Sequence, residues 1–451
     1  MAVVSVRKLS ELGGARRIDA EYYQPSYIEF DVNLSKMPST NLGKLCEKIN
    51  RNPMCYGFNY VASPGIPFFR INDLYNPFIE KYGVVFVSNE VHHKFFSTAL
   101  KTGDILMGVR GNSIGRLGIY KGEDYRANIS PNLIFFRLFE PKLTNYVATV
   151  LLSRVGQIQI QRILAGTGQP TITSDLIKQI RIPTVQDVIP AIDKLTKNAF
   201  QEFEKATMSY SHAEELFLEQ LGLKDFKPNY ELSYAANLSK AFGAHRVDAE
   251  YFQPTYEALL KKIEEFEFSK LGQIAERVLT KVKPDPAQIY KYIEISDIDV
   301  AIGETDFTER LGKELPPNAR IPINGGELII SKVRPTRGAI SIIPKELDTS
   351  VICSSAFSVF EVESPLKEYL YIVIRAIIGK LQMERPTTGT SYPTIRDNDV
   401  ENMQIPLLSN ETQQEIASLV QQSHETRRKA KESLEEAKGK VEQAIEAASG
   451  Y

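Results

Sequence analysis

ARRIDAEYYQPSY, residues 15–27, returns as AHRVDAEYFQPTY at residues 244–256. Nine of the thirteen positions are identical, and the other four are Arg/His, Ile/Val, Tyr/Phe and Ser/Thr exchanges. Agreement this dense between distant stretches of one chain marks an internal duplication, so the fold is one module built twice. At the same offset of 229, LGKLCEKI from residue 42 meets LGQIAERV from residue 271, and Leu9-Ser10 meets Leu238-Ser239.

Further along, the offset drifts to about 224. FRINDL at 69–74 meets IEISDI at 293–298, Gly103-Asp104-Ile105-Leu106 meets Gly326-Glu327-Leu328-Ile329, and Val109-Arg110 falls on Val333-Arg334. GTGQPTITSDLIKQIRIP at 166–183 then lies on GTSYPTIRDNDVENMQIP at 389–406. Constant order with drifting spacing describes one fold whose loops change length.

Each copy ends in a long segment of helical pattern. Apolar or small residues recur at Ile192, Leu195, Ala199, Ala206, Ala213, Phe217 and Leu221 in the first, and at Ile416, Leu419, Ser423, Ala430, Ala437, Ala444 and Ala448 in the second. This near-seven-residue rhythm predicts two long helices that pair along a narrow seam. Gly222 suits the C-terminal cap of the first, and Gly439 is a weak point in the second. Antiparallel pairing follows if the two copies are related by a pseudo-two-fold axis. About 35 helical residues span roughly 50 Å, enough to act as a ruler.

The chain therefore divides into a repeated N-terminal segment (1–27), a first globular domain (28–183), a central spacer helix (184–222), a linker with the second repeated segment (223–256), a second globular domain (257–406) and a C-terminal spacer helix (407–451). Short strand-like runs, VVFV at 84–87 and LIFFRLF at 133–139, alternate with Gly, Pro and Asn turns. That pattern predicts a mixed α/β class with curved sheets and flanking helices.

A chain of 451 residues with 43% hydrophobic and 10% aromatic residues has the composition of a folded, multi-core protein. No run is long and apolar enough for a membrane span, so no membrane partner and a cytoplasmic location are expected. Cys46, Cys55 and Cys353 are too few to staple the chain and read as buried free thiols. The formal charge of −2 conceals segregation. Residues 26–178 hold 17 Lys+Arg against 11 Asp+Glu, residues 184–222 hold 3 against 7, and residues 255–401 hold 19 against 23. The first globular part is basic, whereas the second needs a local basic face to meet a polyanion.

Catalytic signatures are missing. There is no phosphate-cradling G-x-x-x-x-G-K-[ST], no G-x-G-x-x-G, and no His/Cys spacing for a metal, so no cofactor is expected. Asn52-Pro53-Met54-Cys55 and Asn76-Pro77-Phe78-Ile79 lack the second proline of the Asn-Pro-Pro-aromatic motif of amino-methyltransferases.

What recurs is a loop type suited to DNA. Arg110, Asn112, Ser113 and Arg116 in the first copy, and Lys332, Arg334, Thr336 and Arg337 in the second, place cations, amides and hydroxyls on Gly- or Pro-hinged segments. Arginine chelates guanine edges, asparagine adenine edges, and hydroxyls and lysine meet phosphates. A second loop carries Thr167 and Gln169 in one copy and Thr390, Ser391 and Tyr392 in the other. Its Gly/Thr backbone fits a phosphate cradle or a structured turn equally well. Arg17, Asp19, Tyr22 and Tyr23, with Arg246, Asp248, Tyr251 and Phe252, form the repeated segment; a structural role and a partner-facing role both fit them.

Taken together, the repeated (A/H)R(I/V)DAEY(Y/F)QP segments, the two domains ending in PTI…IP and the long helix after each resemble the specificity subunit of type I restriction-modification enzymes. The resemblance spans essentially the whole chain and lies in the order of parts. The family's PPLxEQ helix start is altered here to PTVQDVIP and PLLSNETQQ. The resemblance implies two target recognition domains reading the halves of a split double-stranded DNA sequence. It also implies paired spacer helices, and repeated segments that dock two methyltransferase subunits, with motor-nuclease subunits joining for cleavage. Such a subunit has no catalysis of its own. A self-contained methyltransferase and a non-DNA protein scaffold are the alternatives.

Overall fold

In the computed structural model, the described residues are 6, 8, 12, 18–53, 58–80, 83–164, 171–300, 303–347, 349–389 and 391–449. The side chains of Asn112 and Ser449 stand outside that description. The chain forms two compact units, Met1–Glu204 with Thr426–Tyr451, and Lys205–Glu425.

In the first unit the repeated segment forms a 3-10 turn, Ala20–Tyr23, and then the helix Pro25–Leu34. In the second unit Ala249–Phe252 and Pro254–Ile263 do the same. Pro25 and Pro254 stand in the first helical turn, where a missing N–H costs nothing.

Each unit contains a four-stranded antiparallel sheet of the same order. In the first it runs Cys46–Arg51, Leu133–Leu138, Ile105–Gly108, Leu117–Ile119. In the second it runs Glu276–Arg277, Phe357–Glu361, Leu328–Ser331, Ile340–Ile342. Leu133, Ile134, Phe135 and Phe136 are all fully buried, which explains the unbroken apolar run in the sequence. A second, mixed sheet has three strands in the first unit and four in the second, each with one parallel pair.

Matching side chains close both copies. Tyr146 donates to the Pro183 carbonyl (2.7 Å) and Tyr369 to that of Pro406 (2.6 Å). Gln159 exchanges two hydrogen bonds with the Arg181 backbone, and Gln382 exchanges two with the Gln404 backbone. These four residues were not distinguishable in the sequence from ordinary polar positions.

The two long helices are Ile189–Gln220 and Asn410–Ser449. In the first unit Ile192, Ala199, Phe200 and Phe203 share one core with Ala430, Leu434, Ala437, Val441 and Ile445. In the second, Ser423 donates to the Ala206 carbonyl (2.8 Å) and Ser209 to Gln422 (3.0 Å), so the pairing is antiparallel. Gly222, at φ 63°, ends the first helix, with Leu223 N–H returning to the Leu218 carbonyl (2.8 Å).

Gly439 does not interrupt the second helix. The seven-residue rhythm fails near its end, where Val441 and Ile445 are buried, Ala444 is half-buried and Ala448 is exposed. A helix of 3.6 residues per turn drifts about 20° per heptad, so a strict seven-step stripe leaves the seam, and four-residue steps restore it.

Cys46 and Cys353 are free and buried, and burial pushes both thiols up to about 12; Cys55 lies outside the described residues. No helix among the described residues is long and apolar enough to cross a membrane.

Candidate nucleic-acid interface

The hairpin at one edge of each four-stranded sheet carries a loop of the same length. Gly108 N–H bonds the Arg116 carbonyl (2.9 Å), and Ser331 N–H bonds that of Ala339 (3.0 Å). Glycine is required at 108 because a Cβ there would stand 2.5 Å from the Ser113 carbonyl oxygen. Each loop is also stitched to the segment holding the second candidate loop. Arg110 bridges to Thr171 and Val333 to Thr394, while Ile172 N–H reaches the Val109 carbonyl and Ile395 N–H that of Lys332. Bridged residues 61 apart in sequence, Arg110 with Thr171 and Val333 with Thr394, thus bring two segments to one edge in both copies.

These bonds set the offset here at 223, one less than the frame that laid Arg110 on Arg334. Arg110 corresponds to Val333, Ser113 to Thr336, and Arg334 to Gly111. Gly111 has φ 71° and Arg334 φ 48°, so a left-handed position held by glycine in one copy is held by arginine in the other. The pairing of the two arginines is therefore corrected: they stand one residue apart in the loop.

Arg334 is held in place. Its guanidinium lies 4.4 Å from the Tyr392 ring centroid and donates to the Ser391 carbonyl (3.3 Å). Tyr392 itself is 67% exposed, and Thr336 and Arg337 are exposed beside it on the hairpin. Arg110, Ser113 and Arg116 are half-buried. Lys332 is engaged elsewhere, in a 2.8 Å ion pair with Asp397, which also accepts from Ser358 (2.6 Å). Burial pushes Asp397 upward, but the hydrogen bonds from Lys332 and Ser358 outweigh it and hold the carboxyl low. Thr167, Gln169 and Thr390 lie outside the described residues, as does the Asn112 side chain.

Sequence reasoning missed Arg51. It closes the strand Cys46–Arg51, donates from Nε to the Pro131 carbonyl (2.9 Å), and is lowered by burial and by the charge of Arg110. No motif marks it, because the turn that brings it beside Arg110 is 80 residues away.

The described residues of the repeated segments are held by ring and guanidinium contacts. Tyr22 and Tyr23 meet edge-on at 5.0 Å, and Tyr251 and Phe252 at 4.9 Å. Arg162 stacks on Tyr22 (4.2 Å), and Arg385 on Tyr251 (4.7 Å). Arg246 forks onto Asp248 and donates to the Pro386 and Thr387 carbonyls. Asp19 is half-buried, and Arg17 lies outside the described residues. Ile18 (85% exposed) and Val247 (91%) are the same position of the repeat, and both point to solvent.

Residues 263–437 match the family described as type I restriction modification DNA specificity domain. The first unit repeats the sheet order, the closing bonds and the hairpin loop of this stretch. Over its second copy the chain is thus similar to a type I restriction modification DNA specificity domain. Among solved structures, the chain is similar to a type I restriction-modification S subunit from M. genitalium, at 13% identity over 91% of this chain and 95% of that one, with a TM-score of 0.38. It is also similar to the HsdS subunit from Thermoanaerobacter tengcongensis, at 12% identity over 92% and 96%, with a TM-score of 0.28. No curated protein sequence matches it.

Proposed function

We propose that the chain is the DNA specificity subunit of a type I restriction-modification complex, that it reads a bipartite double-stranded DNA target, one half with each hairpin loop and its stitched neighbour, and that it contributes no bond-making chemistry itself. The observation that carries this is the recurrence, in both units, of one loop frame of equal length filled with different side chains. A constant frame with variable contents is what reading two unlike half-sites needs. In the first domain Arg110, Asn112, Ser113 and Arg116 face the DNA with Thr167 and Gln169. In the second Arg334, Thr336 and Arg337 do so with Thr390, Ser391 and Tyr392. Lys332 braces the loop through Asp397.

The domain limits set out from the sequence, with globular parts at 28–183 and 257–406 and spacers at 184–222 and 407–451, belong to this reading. So do its partners: two methyltransferase subunits dock on the repeated segments through the exposed Ile18 and Val247, and motor-nuclease subunits complete the complex. The test is modified-adenine mapping of the assembled methyltransferase. Arg110→Ala should relax one half of the recognised sequence and Arg334→Ala the other. An unaltered target in both variants would refute the assignment.

A further inference from the structure

We propose that the first unit carries a second nucleic-acid surface, separate from the hairpin loop, that stacks unpaired DNA bases on an exposed ladder of three rings: His93, Phe96 and Tyr125. The inference rests on the DNA reading above. His93 and Phe96 lie nearly parallel (22°) with centroids 6.5 Å apart, and Phe96 and Tyr125 at 26° and 5.4 Å. Phe96 is 47% and Tyr125 37% exposed, and His93 is exposed too. Large rings left in water while stacked on each other carry unspent apolar faces, the kind of surface that marks a binding site.

The scaffold beneath is fixed. Buried His92 meets Phe96 edge-on at 5.7 Å, and the Thr98 hydroxyl donates to Asn128 Oδ1 (2.6 Å). Tyr125, in the left-handed region at φ 60°, is tied by its N–H to the Leu100 carbonyl (2.6 Å).

Cations frame the rings. Lys101 Nζ lies 5.0 Å over Tyr125, and Lys94 and Arg126 are exposed nearby in the chain. Rings interleaved with cations are how proteins hold single strands without reading sequence: bases stack on the rings, and the phosphates between them meet the charges. The ladder also adjoins the hairpin-loop edge through consecutive residues. Asn50 Nδ2 donates to the Ser97 carbonyl (2.9 Å), and Arg51 donates to the turn beside Arg110. At the offset of 223, the sequence of the second copy has Pro316, Ala319 and Asp348 where the first has His93, Phe96 and Tyr125, so the ring set does not recur.

The test measures binding of fluorescein-labelled oligo(dT) and of a labelled duplex to the full chain by anisotropy. Phe96→Ala and His93→Ala should each weaken oligo(dT) binding by about five-fold or more, the scale of one lost stacking contact. Phe96→Trp should restore it, and Arg110→Ala should weaken the duplex while leaving oligo(dT) unaffected. Thermal melting shows whether each variant is folded; both replaced side chains are exposed, so either one alone decides. Unchanged oligo(dT) binding in either folded alanine variant, or equal loss with Trp and Ala at 96, overturns the proposal. Loss of association with a protein subunit at unchanged oligo(dT) binding also overturns it, making the ladder a protein surface. Failure of the parent chain to bind oligo(dT) while Arg110→Ala still weakens the duplex removes the ladder alone; indifference to both probes removes the DNA reading as well.

Discussion

Replacing Arg334 by glycine and by alanine separates what its backbone costs from what its side chain does. A non-glycine residue in the left-handed region costs about 1–2 kcal/mol, and Arg334 sits there at φ 48°. Its stack on Tyr392 returns about 0.5–1 kcal/mol at an exposed site, and the long bond to Ser391 adds less. Alanine loses those contacts and keeps the strain. Glycine loses the same contacts but sheds the strain, less the roughly 0.5–1 kcal/mol that a freer unfolded chain costs. Arg334→Gly should therefore be more stable than Arg334→Ala by about 0.5–1 kcal/mol, roughly 1–4 °C in melting temperature for a unit of this size. Both should lose about 1–3 kcal/mol of cognate DNA affinity, roughly 5- to 150-fold. Differential scanning calorimetry and anisotropy with the cognate duplex measure the two effects. If the glycine variant melts at or below the alanine variant, the strain argument is wrong; if both bind DNA like the parent, Arg334 does not touch it.

Ile18→Glu with Val247→Glu should abolish co-elution with the methyltransferase subunits on size exclusion while leaving the melting temperature within about 2 °C, since both positions are exposed; intact co-elution would place the docking surface elsewhere. Burial, then the charges of His93 and Arg126, hold His92 below its ordinary value against a Tyr125 backbone hydrogen bond. The neutral form is the folded one, so its stabilisation is present above about pH 6.5 and lost as pH falls through the lower folded value. His92→Phe should flatten that part of a melting-temperature profile between pH 7.5 and 5, and an unchanged slope would clear His92 of the effect. Because Ala206 and Ser423 face each other, four residues inserted after both should lengthen the paired helices by about 6 Å. The recognised spacer should then grow by one or two base pairs at about 3.4 Å each, with unchanged half-sites in adenine mapping; an unaltered spacer would refute the ruler.

The duplication, the helices and their cap were legible because identity, seven-residue rhythm and Gly222 act locally. The strand run Leu133–Leu138 was legible for the same reason. What stayed hidden depends on distance: Arg162 and Arg385 stack on tyrosines more than 130 residues away, and Arg51 reaches its turn across 80. Alignment also misled where side chains looked alike. Arg110 and Arg334 match as letters, yet the backbone bonds that close the loops align arginine with glycine, because a loop's register is set by its hydrogen bonds and not by its contents. Lys332 looked available as a cation and is engaged by Asp397, whose partner could not be read from either segment alone.

The core of the first unit takes Ala430, Leu434, Ala437, Val441 and Ile445 from the last stretch of the chain. A ribosome working at about 5–20 residues per second needs roughly 10–45 s to travel from Glu204 to Thr426. Throughout that interval Ile192, Ala199, Phe200 and Phe203 have no helix to cover them. The half of the protein made first is thus the half completed last, and a message truncated before the final helix leaves the first core unfinished.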